Sequence, residues 1–161
     1  MSELALADIW RIIEGITDPE IPVISVVELG LIREVHIDRD GVDVAITPTF
    51  SGCPAFQAIR DAIKERLEDA GVRLVRIQVR LAPPWSTDWI SPEGRQKLKE
   101  FGLAPPPQRG NLLHIDQLLI ARCPYCGSED ILLKNSFGPT LCRAIYFCNT
   151  CRQPFEQFKP I

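Results

Sequence analysis

Leu6, Ile9, Trp10 and Ile13 recur at three- and four-residue intervals. That spacing gives one apolar helix face, and it predicts a helix over residues 2–14 with Ser2 as cap and Gly15 as stop. The two prolines of Thr17-Asp18-Pro19-Glu20-Ile21-Pro22 then hold the chain extended. The period changes to two from about Leu31 to Ile37, with Val35 and Ile37 on one face, and again at Val42, Val44 and Ile46. Asp38-Arg39-Asp40-Gly41 lies between them as a hairpin turn, with Gly41 expected to supply a positive φ. Helical spacing returns at Phe56, Ile59, Ile63 and Leu67, opened by Cys53-Pro54 and stopped by Gly71. Val75, Ile77, Val79 and Leu81 make a third strand within residues 73–81.

A helix between the second and third strands predicts a right-handed crossover and a parallel pair. The front of the chain therefore reads as a small α-β-β-α-β sandwich with a mixed three-stranded sheet. Ser91-Pro92-Glu93 starts a further short helix ending near Gly102. Ala104-Pro105-Pro106-Pro107 is stiff and extended, as linkers often are. The expected division is an α/β domain over 1–103, a proline-rich connector over 104–118 and a cysteine-rich module over 119–161.

The 161 residues allow one ordinary domain or one small domain plus a satellite. The formal charge of -3 argues against a polyanion-binding surface. Residues 120–161 hold five basic and three acidic side chains, a balance of +2, and the rest stands at -5. Four thiolates around a divalent ion would cancel that tail charge, which removes it as a reason to expect nucleic acid. The start lacks the basic and apolar regions of a signal peptide, and no run reaches the roughly 18 apolar residues of a membrane helix. The expected compartment is a reducing cytoplasm, where clustered cysteines serve as metal ligands or reactive thiols.

Five of the six cysteines crowd the tail. Cys123-Pro124-Tyr125-Cys126 and Cys148-Asn149-Thr150-Cys151 are two CxxC knuckles. A two-residue gap lets both thiolates of a knuckle face one ion, and four thiolates suit a closed structural zinc site. Iron in a rubredoxin-like site is the alternative metal, and a redox or disulfide CxxC pair is the alternative chemistry. The second knuckle lacks the glycine that follows the first. So few residues build little core, and metal binding would supply much of the folding free energy. Cys142 is either a buried apolar residue or a spare ligand.

Cys53 stands alone in the front half, at a helix start that favours a thiolate. It reads either as that thiolate or as an inert packing residue. Asp18 and Glu20 read as turn carboxylates or as contacts to a cation. Trp85 and Trp89 read as packing residues more readily than as a ligand platform. The two histidines are His36, expected on a strand surface, and His114, beyond the proline run. Neither sits where a Cys-His hydrolase would need its base. Neither follows a glutamate by three residues, as diiron helices require. There is no phosphate-cradling glycine loop.

Asp18-Pro19-Glu20-Ile21-Pro22, Glu28-Leu29-Gly30-Leu31-Ile32 and Thr47-Pro48-Thr49-Phe50-Ser51-Gly52-Cys53-Pro54 together resemble the small iron–sulfur assembly family. Pro84-Trp85-Ser86-Thr87-Asp88-Trp89-Ile90-Ser91 and the tail ending Cys151-Arg152-Gln153-Pro154-Phe155 resemble one branch of it, associated with the bacterial phenylacetyl-CoA epoxidase system. The resemblance implies an accessory that helps insert or repair a cluster or metal in the oxygenase system. The implied recipient is the reductase component with its [2Fe–2S] cluster, and epoxidation itself is not implied. It makes Cys53 the functional thiol and transient holder of iron or cluster, with Asp18 in support. Implied partners are the oxygenase and reductase components and a second copy of the chain. The rival is a structural adaptor that bridges such components through the zinc ribbon.

Overall fold

The computed structural model describes residues 4–108 and 120–160. Ser2, His114 and most of the expected connector lie outside them. The chain divides into two units, Met1–Trp85 and Ser86–Ile161.

In the first unit α1 spans Leu6–Glu14 and buries Ile9 and Ile13. Its opening turn is closed by Asp8, whose carboxylate accepts the Ala5 N–H at 3.1 Å. β1 (Ile32–Ile37) and β2 (Val42–Ile46) form an antiparallel hairpin. α2 (Ala55–Asp69) crosses to β3 (Val75–Val79), which lies parallel to β2. The sheet order β1-β2-β3 is the mixed sheet that the periodicities predict. The inward side of α2 is Ala55, Ile59, Ile63 and Leu67, all buried.

Gly41 is needed for a different reason from the one its turn suggests. Its φ is not positive; a Cβ there would lie 2.0 Å from the Leu74 carbonyl oxygen. β3 comes so close that only glycine fits. The turn is tied by Asp38, whose carboxylate accepts the Asp40 and Gly41 N–H groups at 2.8 Å each.

Residues 15–31 carry no helix or strand, yet Ile16, Ile21, Ile24, Val26, Leu29 and Leu31 are all buried. Side chains tie this segment. The Ser25 hydroxyl accepts the Glu28 N–H at 3.0 Å, and the Glu28 carboxylate accepts the Ser25 N–H at 2.9 Å. Trp85 is buried and donates its indole N–H to the Leu29 carbonyl at 2.9 Å, a packing role.

The second unit opens with a 3-10 turn, Thr87–Trp89, and α3 (Pro92–Glu100), capped by the Ser91 hydroxyl. The Arg95 guanidinium ties the proline run down, donating to the Thr87 and Pro106 carbonyls at 2.6 and 2.5 Å. Four strands follow: β4 (Leu103–Ala104), β5 (Ile131–Asn135), β6 (Arg143–Cys148) and β7 (Pro154–Phe158). They form one sheet in the order β4-β7-β6-β5. β5 and β6 form an antiparallel hairpin. β7 adds antiparallel to β6, and β4 adds parallel to β7. Because β4 belongs to this sheet, α3 and β4 group with the cysteine module, ahead of the proline run where the sequence divides the chain.

Candidate metal centre and thiol site

The two knuckles are built alike. In the first, the Cys123 carbonyl accepts the Gly127 N–H at 2.8 Å and the Cys123 N–H reaches the Ser128 carbonyl. In the second, the Cys148 carbonyl accepts the Arg152 N–H at 3.0 Å and the Cys148 N–H reaches the Gln153 carbonyl. Gly127 has φ 74° and Arg152 has φ 61°. The arginine therefore takes the left-handed conformation that glycine takes in the first knuckle, which accounts for the missing second glycine.

The β5–β6 hairpin then sets the two knuckles side by side, with Cys148 opposite Ile131. The sulfurs of Cys123, Cys126, Cys148 and Cys151 all lie within 4.8 Å of one another. Cys123–Cys151 and Cys126–Cys148 are 3.6 Å apart. A tetrahedral zinc with Zn–S of about 2.3 Å needs sulfurs about 3.8 Å apart, so the donor set fits such an ion. The knuckle backbone is arranged for thiolates. The Cys151 N–H donates to the Cys148 sulfur at 3.5 Å, and backbone donors hold that thiol down at about 6. Burial pushes Cys151 up to about 12, the cost that a bound cation offsets. Beneath the cluster lies a short apolar layer, with the Tyr146 and Phe155 rings stacked at 5.4 Å.

Cys142 is buried outside this cluster, its sulfur 3.0 Å from the Thr140 hydroxyl.

Cys53 lies half-buried where the loop after β2 enters α2. The Cys53 N–H donates to the Phe50 carbonyl, and Phe56 donates back to the Cys53 carbonyl, both at 3.2 Å. Burial is the largest influence on the thiol and pushes it above its ordinary value. The Ala55 amide and Thr49 hydroxyl pull the other way, while the Glu20 and Asp18 carboxylates add to the rise. The helix start does favour the thiolate, as its position suggests, but burial and the two acids outweigh it. The fold thus gathers Asp18, Glu20, Thr49 and Cys53 from two distant segments. Asp18 is itself buried, and its carboxylate accepts the Glu20 and Ile21 N–H groups at 2.8 and 2.9 Å. It shapes the turn that presents Glu20. Glu20 acts on the thiol more strongly than Asp18, although sequence reasoning singled out Asp18. Their shared turn was the available signal. His36 is exposed on β1, opposite Asp43.

Residues 6–79 match the model of an iron–sulfur cluster assembly protein domain, and residues 113–159 match the PaaD zinc beta ribbon domain. An Escherichia coli K12 protein described as one of the subunits of 1,2-phenylacetyl-CoA epoxidase is 40% identical over 154 residues. That match covers 96% of this chain and 92% of the relative. The chain belongs to the PaaD family. An iron–sulfur protein maturation auxiliary factor of Porphyromonas gingivalis is 39% identical over 93 residues, covering 56% of this chain and 88% of the relative. Among solved structures, a conserved hypothetical protein of Thermotoga maritima is 30% identical with a TM-score of 0.53, covering 64% of this chain and all of that one. The α/β fold, the four-cysteine ribbon and the assembly-family resemblance read from the sequence are thereby shown. Among the described residues, no helix is long and apolar enough to cross a membrane.

Proposed function

We propose that this PaaD-family chain is an accessory of a phenylacetyl-CoA epoxidase system that inserts or repairs an iron–sulfur cluster or metal, and is not itself the epoxidation catalyst. The client is the reductase component with its [2Fe–2S] cluster. Support comes from the convergence of Glu20, Asp18 and Thr49 on Cys53, within a domain whose relatives are described as iron–sulfur maturation factors. Cys53 holds iron or cluster in transit. One thiolate is a poor cluster ligand, and among the described residues the multi-ligand group is the ribbon's, which excludes Cys53. A second copy or the client completes the ligand set during transfer. The ribbon holds zinc through Cys123, Cys126, Cys148 and Cys151 and docks the oxygenase components. The setting is a reducing cytoplasm.

Cys53→Ser leaves the fold and ribbon metal unchanged and lowers cluster occupancy in the client reductase, read by iron analysis and visible absorption. Full occupancy in that strain would remove the functional thiol.

One observation favours the adaptor reading: a thiol raised above its ordinary value is mostly protonated near neutral pH, hence a weak nucleophile and ligand. The Cys53 alkylation rate therefore rises at a higher pH than for an unperturbed thiol. Removing a negative neighbour favours the thiolate, so Glu20→Gln shifts that profile to lower pH. A profile unmoved by Glu20→Gln, with slow alkylation throughout, would favour the adaptor.

A further inference from the structure

Among the described residues β3 is an edge strand, and its open side is unusually plain. At its two ends the Leu74 carbonyl accepts the Val42 N–H at 2.9 Å and the Arg80 N–H reaches the Ile46 carbonyl at 2.8 Å. In a parallel ladder alternate residues bond to one neighbour. The even-numbered residues therefore face β2, while Val75, Ile77 and Val79 turn their N–H and C=O groups to the open side. Natural edges are blunted by bulges or proline. β1 at the other edge has a register shift at Ile32/Glu34, whereas β3 pairs with β2 without interruption and holds no proline. Leu74, Val79 and Leu81 are 45%, 41% and 63% exposed along it.

Charge indicates the occupant. From Ala70 to Ser86 the chain has three arginines, Arg73, Arg76 and Arg80, and no acid. Arg76 is held by Asp43 and Asp38. Arg80 pairs with Glu34 at 2.6 Å, but both partners are largely exposed, so an incoming carboxylate can take Glu34's place at little cost. A second copy added to this edge would bring another row of arginines onto the same sheet face.

We infer that the open edge of β3 takes up an extended segment of a partner protein by strand addition, and that this segment alternates apolar and acidic residues. Backbone hydrogen bonds to Val75, Ile77 and Val79 supply affinity. Apolar side chains continue the Ile77–Val79 side of the sheet, and carboxylates meet Arg80 on the other. This inference stands whatever Cys53 does.

The test uses the full metal-loaded chain with two synthetic peptides, one alternating valine and glutamate and one alternating valine and lysine. Amide hydrogen exchange is read residue by residue. The glutamate peptide slows exchange at Ile77 and Val79 by roughly tenfold, and the lysine peptide does not. Val79→Pro removes one outward N–H without touching the bonds to β2, and it abolishes the effect while the Val44 amide stays protected. Should that variant fail to fold, Arg80→Glu serves instead and reverses the preference between peptides. Equal protection by both peptides, protection by neither, or protection that appears with protein concentration alone would each overturn the inference.

Discussion

The two units solve the same stability problem by opposite means. The first packs α1 and α2 on a three-stranded sheet, burying Ile9, Ile13, Ile59, Ile63, Leu67, Val44 and Ile46. The ribbon's own core is small, and two of its buried members, Cys123 and Cys148, are also metal ligands. An apolar core loses stability in increments as methylenes are removed. A core whose members grip an ion has a single large contribution that one substitution can eliminate. Burial of the cysteines and metal binding are thus one feature in the ribbon, while in the first unit packing and the Cys53 site are separable.

The largest expected effect follows from that contrast. Stripping the metal with a strong chelator, or Cys148→Ser, removes amide protection at Tyr146 and Phe155 and leaves Ile59 and Ile63 protected. Loss of protection in both units together would show that metal dependence is not confined to the ribbon. Next in size, Ile63→Ala opens a cavity in the first unit and costs about 2–5 kcal/mol in denaturant unfolding. Its metal content stays unchanged, and a cost below about 1 kcal/mol would mean that the site collapses around the gap.

The smallest effects separate the two knuckles. Gly127→Ala puts a Cβ into open space but at positive φ, and so costs about 1 kcal/mol of metal-loaded stability from backbone strain alone. Arg152→Gly relieves the same conformation and is neutral or stabilising by up to about 1 kcal/mol, read as a shifted melting temperature of the loaded ribbon. A loss of that size on Arg152→Gly would mean that the arginine side chain contributes there.

The regular elements of the first unit were legible because each buries one face, and a buried face imprints a period of 3.6 or 2 on the sequence. The four ligands were legible because CxxC is a local pattern. Residues 15–31 left no such trace. Their apolar side chains are buried through turns, with Gly30 at φ 72° and Leu31 donating to the Val26 carbonyl, so no period arises. β7 was missed because it opens on a proline, and β4 because two residues carry no pattern. At Gly41 the residue type was informative but the cause was not, since the constraint comes from Leu74, 33 positions away. Cys53 is the same case: its place at a helix start is local, and the acids acting on it arrive from residues 18–20.

The pairing of Ile131 with Cys148 gives the ribbon an order of events. Cys123 and Cys126 are three positions apart, so they can close on an ion almost without a search. Cys148 and Cys151 have the same spacing, so either knuckle can offer an ion two sulfurs at once, and only the zipped hairpin brings all four together. Fraying of that hairpin would part the knuckles and leave an ion on two sulfurs, open to any competing thiol. Side chains along β5 and β6 that never touch the ion would then influence how long it stays.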